Sequence, residues 1–170
     1  MRLGVYVGSF NPVHIGHIDV ANYLINNNYI DKVLIIPTLE YWDKQNLAPL
    51  NDRINMLKLL ETDLINIDNK HNSYNYTCDL MKALSNELDD ELYLIIGADN
   101  IINFDKWKNY KDLLKYKIIV MKRGNIDSNG YIEKFNTNNF IVVDDYEYID
   151  ISSTDIRNGN NKYLNPKVLK

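Results

Sequence analysis

The chain has a single cysteine, Cys78, among 170 residues. It has no partner for an internal disulfide, and no Cys/His cluster falls at zinc-ligand spacing. Long apolar runs are also missing. Leu3–Val7, broken by Gly8, is too short for a signal-peptide core or a membrane span. Positive charge is not in excess: 19 Lys and Arg stand against 23 Asp and Glu, for a formal net charge of -4. That balance argues against a protein that grips nucleic acid by general attraction. It leaves room for an anionic small substrate, because a few well-placed cations bind phosphate inside an acidic protein. No internal repeat, low-complexity tract or linker divides the sequence. The expectation is one domain over residues 1–170 in a reducing cytoplasm, without nucleic-acid or membrane partners. Self-association is open, and a homo-oligomer is compatible with the sequence.

What is present is an ordinary globular composition, 45% hydrophobic and 25% charged. Leu3–Val7, Val33–Ile36, Leu92–Ile96, Lys117–Met121 and Phe140–Val143 read as strands, with Leu64–Ile67 a weaker one. Between them lie helical patterns. Ile18, Ala21, Leu24 and Ile25 share a face, as do Ile54, Leu57 and Leu60 within Asn51–Glu61. Leu80, Met81, Leu84 and Leu88 do so within Thr77–Leu88. A last helix is expected to open at Ser152–Arg157. Continuously apolar strands alternating with amphipathic helices predict an α/β fold: a single Rossmann-like, doubly wound domain with a mostly parallel sheet. Ligands of such sheets sit beyond the carboxyl ends of the strands.

Two segments carry chemistry at those ends. Gly8-Ser-Phe-Asn-Pro-Val-His-Ile-Gly-His17 joins the first strand to the first helix. Gly8 permits close approach of backbone or ligand, and Pro12 stiffens the turn. The helix opening near Ile15 offers unpaired N–H groups and the positive end of its dipole, which suit a phosphate. His14 and His17, three apart, project to one side and can donate to phosphate oxygens. A lone histidine at a helix start is usually a cap or surface residue, but two bracketing a glycine fit phosphate handling better. A third metal ligand is not in evidence nearby. The second segment, Ile151-Ser-Ser-Thr-Asp-Ile-Arg157, follows the last strand. Ser152 or Ser153 can cap a helix, and Arg157, one turn on, can reach the same anion. The P-loop pattern is absent, which excludes a P-loop kinase.

Both segments resemble the nucleotidylyltransferase superfamily, in the same order. Gly8-Ser-Phe-Asn-Pro with His14-Ile-Gly-His17 is similar to its first signature, and Ile151–Arg157 to its second ATP element. The His-Ile-Gly-His spelling also occurs in class I aminoacyl-tRNA synthetases, but 170 residues are too few for one, and no Lys-Met-Ser-Lys-Ser-like loop is present. Ile95-Ile-Gly-Ala-Asp99, Trp107, Leu113-Leu114, Met121-Lys-Arg-Gly124 and Tyr76-Thr-Cys-Asp79 are similar to bacterial nicotinate-nucleotide adenylyltransferases.

The resemblance implies adenylyl transfer from ATP to nicotinate mononucleotide, giving deamido-NAD and pyrophosphate. The acceptor phosphate is already anionic and attacks in line, so positioning and charge stabilisation carry the rate. It implies His14, His17, Lys44 and Arg157 at the reacting phosphates, His17 nearest the α-phosphate. ATP would be contacted by Gly8, Ser9, Phe10, His17, Gly97, Asp99, Ile151, Ser152, Ser153 and Arg157. The acceptor would be contacted by Lys44, Thr77, Trp107 and Arg123, with the pyridine ring on the indole of Trp107. The alternative for Trp107 is packing under a helix at Tyr110–Leu114. Mg²⁺ would be held mainly by the triphosphate, without a dedicated protein site. Asn11 replaces the usual aspartate, and Tyr41-Trp-Asp-Lys44 replaces Pro-Pro-His-Lys, so only Lys44 carries over there. Rival readings are transfer to nicotinamide mononucleotide or phosphopantetheine, and a non-catalytic nucleotide sensor.

Overall fold

The computed structural model describes residues 1–8, 15–37, 50–122 and 124–146. Six strands are present: β1 (Arg2–Gly8), β2 (Lys32–Pro37), β3 (Ile65–Ile67), β4 (Glu91–Gly97), β5 (Lys117–Met121) and β6 (Phe140–Val143). They form one all-parallel sheet in the order β3-β2-β1-β4-β5-β6. All six predicted strands are there. The helices are α1 (Ile15–Asn26), α2 (Leu50–Lys58), α3 (Thr77–Glu87), α4 (Ala98–Ile101), α5 (Tyr110–Leu113) and α6 (Ser128–Ile132), with 3₁₀ turns at Phe104–Lys106 and Glu133–Phe135.

The inner strands are mostly apolar because both faces of the sheet are covered. Val33, Ile35, Tyr93, Ile95, Ile119 and Met121 pack with α1 and α2 on one face. Leu3, Val5, Leu92, Leu94, Ile118 and Val120 pack with α3, α4 and Phe104 on the other. The helix faces read from sequence are the buried ones: Leu24, Leu57, Met81 and Leu84 are fully enclosed. α2 closes three residues earlier than its apolar pattern, because Leu60 and Glu61 donate back to Leu57 and Lys58 in tight i→i−3 turns. α1 ends on Asn28 in the left-handed region (φ 64), with the Asn28 amide bonded to Ile25 and that of Tyr29 to Leu24.

The amino end of the sheet is stitched shut. Arg2 forks onto Asp31, with its Nε 3.3 Å from Oδ2 and one terminal nitrogen 3.1 Å from Oδ1. The same guanidinium reaches the Asn28 carbonyl at 2.7 Å. The candidate site lies at the opposite, carboxyl end of the sheet.

Candidate active site

β1 lies between β2 and β4, so the chain leaves it in one direction through α1 and returns on its other side through α3. A crevice forms where the connections diverge, outside the carboxyl ends of those two strands. Each of the two strands ends in glycine, Gly8 and Gly97. Their pairing runs from Arg2↔Glu91 to Tyr6↔Ile95, short of both glycines.

On the β1 side, His17 sits half-buried in the first turn of α1. The amides of that turn lack helical acceptors and mark the positive end of a 12-residue helix. On the β4 side, Gly97 is the N-cap of α4. A Cβ at Gly97 would lie 2.6 Å from Oδ1 of Asp99, so the Asp99 carboxylate folds back over the strand end because residue 97 has no side chain. The chain beyond β6 returns to the same region. Buried Tyr146 donates its hydroxyl to Oδ2 of Asp19 on α1 at 2.8 Å and sets its ring 4.8 Å from that of Tyr23.

A second recess opens beside α3. Its N-cap, Tyr76, is extended and makes no side-chain capping bond, so the first turn of α3 is not closed by its own cap. Facing it is Trp107, which follows the 3₁₀ turn at Phe104–Lys106 and packs on fully buried Phe104 with ring centroids 5.1 Å apart. Between them lies a cleft of about 290 Å³, lined by Asn75, Tyr76, Thr77, Lys106, Trp107, Lys108 and Leu113. That volume suits one flat ring with substituents. A smaller recess of about 20 Å³ adjoins Tyr76 and Thr77 on their other side, and reaches Val7, Ile36 and Pro37 at the strand ends.

The turn after β3 lines the smaller recess through His71 and Asn72. His71 sets Nδ1 2.9 Å from Asp68 and Nε2 2.8 Å from Glu87 at the end of α3. Burial opposes its charge, but hydrogen bonds to the two carboxylates outweigh this and raise its pKa. Asn72, buried, donates to the Pro37 carbonyl at 2.7 Å and to that of Asp68 at 3.3 Å. One turn thereby ties β2, β3 and α3 together.

Thr77 and Trp107 share the larger cleft, Gly8 and Gly97 end the neighbouring strands β1 and β4, and His17 and Asp99 stand in the helices that follow those strands. Ser9, Phe10, His14, Lys44, Arg123, Ile151, Ser152, Ser153 and Arg157, with the helix expected at Ser152–Arg157, lie outside the described residues. Trp107 is partly buried against the core, as the packing alternative expects, and it also lines the cleft. Sequence reasoning missed Lys108 and the His71 turn. The Asp68–His71 spacing of three was the available signal for the latter. Among the described residues, no group of three or more His, Cys, Asp and Glu is arranged to hold a metal ion. No helix there is long and apolar enough to cross a membrane.

Residues 5–159 match the family model described as cytidylyltransferase-like. The chain belongs to that family. A relative in Fusobacterium nucleatum, named "Probable nicotinate-nucleotide adenylyltransferase", is 36% identical over 168 residues, covering 93% of this chain and 86% of its own length. One of the same name in Aquifex aeolicus is 34% identical over 169 residues, covering 91% and 100%. Among solved structures, Plasmodium falciparum nicotinic acid mononucleotide adenylyltransferase complexed with NaAD matches with a TM-score of 0.79. That match has 22% identity and covers 98% of this chain and 92% of the other. The family is one of nucleotidyltransferases, and the shared fold is the doubly wound sheet described above.

Proposed function

We propose that the chain transfers the adenylyl group of ATP to nicotinate mononucleotide, giving deamido-NAD and pyrophosphate, as a cytoplasmic single-domain enzyme. The observation that carries this reading is the convergence of Thr77 and Trp107 on one cleft beside the carboxyl ends of β1 and β2. An indole face is a platform for a flat pyridine ring, and the adjoining strand ends are where a phosphate-bearing ligand of this fold is held. The names of the Fusobacterium and Aquifex relatives support the same acceptor.

In this reading His17, with His14, donates to the ATP phosphates from the start of α1, and stabilises the charge that builds on the transferring group. Lys44 and Arg157 hold the phosphate tail, and Gly8, Ser9 and Phe10 contact the nucleotide. Asp99 accepts from the adenosine portion, at the place Gly97 leaves open. Ile151, Ser152 and Ser153 complete the ATP site. Support for that comes from the anchoring of Tyr146 to α1, which starts the chain toward residue 151 only five residues away. Arg123 and Lys44 serve the acceptor. The acceptor phosphate needs no general base. Mg²⁺ would neutralise triphosphate charge, held mainly by phosphate oxygens and water.

A pyrophosphate-release assay with ATP tests this against nicotinate mononucleotide, nicotinamide mononucleotide and phosphopantetheine. Release with the first in preference to the others is expected. Preference for phosphopantetheine would overturn the acceptor assignment. ATP binding by calorimetry with no release for any acceptor would replace catalysis with nucleotide sensing.

A further inference from the structure

We propose that Lys108 selects an acidic substituent on the acceptor ring, and so favours a carboxylate-bearing pyridine nucleotide over its carboxamide counterpart. The inference rests on the acceptor site proposed above and adds the residue that sets its charge preference.

Lys108 follows Trp107 directly. Trp107 is extended (φ -70, ψ 142), and Asn109 turns back through the left-handed region (φ 51, ψ 39) before α5. Asparagine tolerates that conformation, so the turn holds the intervening lysine at the cleft. The Lys108 ammonium sits 4.4 Å from the centroid of the Tyr76 ring. Tyr76 is the N-cap of α3, so the cation stands by the start of that helix, in the cleft that Trp107 also lines.

The charge is felt beneath that turn. Burial pushes the Cys78 thiol pKa up, the Asp79 carboxylate in the same turn adds to the rise, and the field of Lys108 opposes it. Two lysines, Lys106 and Lys108, line the cleft, and no carboxylate does among its described lining residues. A ring lying on Trp107 with its substituent toward Tyr76 and Thr77 therefore meets one full positive charge and the partial charge of an uncapped helix start. A carboxylate gains from both. A carboxamide gains less, because its neutral carbonyl meets the two charges only as a dipole. Selectivity here is a difference in binding and belongs in KM.

The test compares kcat and KM for nicotinate and nicotinamide mononucleotide, at saturating ATP, in wild type, Lys108→Met and Lys108→Arg. Methionine keeps an unbranched stem over Tyr76 and removes the charge. In Lys108→Met, KM for the nicotinate substrate should rise about fivefold to tenfold with kcat little changed, narrowing the preference by that factor. Arginine should restore most of it. An unchanged preference in Lys108→Met, while wild type uses nicotinate mononucleotide well, overturns this inference and leaves the proposed function standing. Release with neither mononucleotide in wild type overturns both. A readout independent of variant folding is salt: the wild-type preference should shrink from about 20 to 300 mM salt, and a flat ratio overturns the role of charge.

Discussion

Strands β1–β3 are joined by helices of 12 and nine residues, whereas β4–β6 are joined by helical pieces of three to five residues. A long helix buries a continuous apolar stripe and develops a positive N-terminus, which α1 aims at the strand ends. Short pieces can do neither. The second half is held instead by one aromatic hub, Phe104, whose ring meets those of Trp107, Tyr110, Phe135 and Phe140 at centroid distances of 5.1 to 6.3 Å. In the proposed function the first half would offer backbone polarity to an anion. The second would offer a side-chain platform to a ring.

The contrast can be broken at its strongest point by Phe104→Ala. Removing the hub should cost about 3–5 kcal/mol of stability in urea unfolding. In the surviving folded protein, acceptor affinity should fall before ATP affinity. His17→Ala should lose about 10²–10³ in turnover while keeping the wild-type urea midpoint. Near-normal turnover would remove the start of α1 from the chemistry. For Trp107→Ala, calorimetry should find acceptor binding weakened by about tenfold with ATP binding nearly intact. Unchanged affinity with a loss of fold would return Trp107 to a packing role alone.

The smallest effect concerns the brace between the halves. His71 has a raised pKa in the folded chain, so its charged contacts contribute in full below the unfolded value of about 6.5 and fade as pH rises through the folded value. The stability gap between wild type and His71→Gln should therefore be wider at about pH 6 than at about pH 9, by at most about 1 kcal/mol given that Glu87 is largely exposed. Urea midpoints at the two pH values measure it.

The sheet was legible because burial on both faces writes the inner strands as apolar runs, as in Leu92–Ile96, whereas the edge strand β3, with exposed Asn66 between Ile65 and Ile67, reads more weakly. The long helices were legible through their period. α4 and α6 were not, since four or five residues complete barely one turn and leave no period to detect. Thr77 and Trp107 were legible only through family resemblance; nothing in their 30-residue separation says that they share a cleft. Lys108 carries no signal in the sequence, because its contact with the Tyr76 ring is made only by the fold. His71 was hidden for the same reason, with one of its two carboxylates 16 residues away.

The strand order has a consequence for synthesis. β1 leaves the ribosome first but becomes an inner strand, flanked by β2 and by a strand that begins only at Glu91. At about 5–20 residues per second, one edge of β1 stays open for several seconds, an apolar edge of the kind that chaperones guard. The bond from Tyr146 to Asp19, spanning 127 residues, forms later still. The crevice is therefore a late product of translation, and a nascent chain arrested before β4 would hold His17 with nothing opposite it.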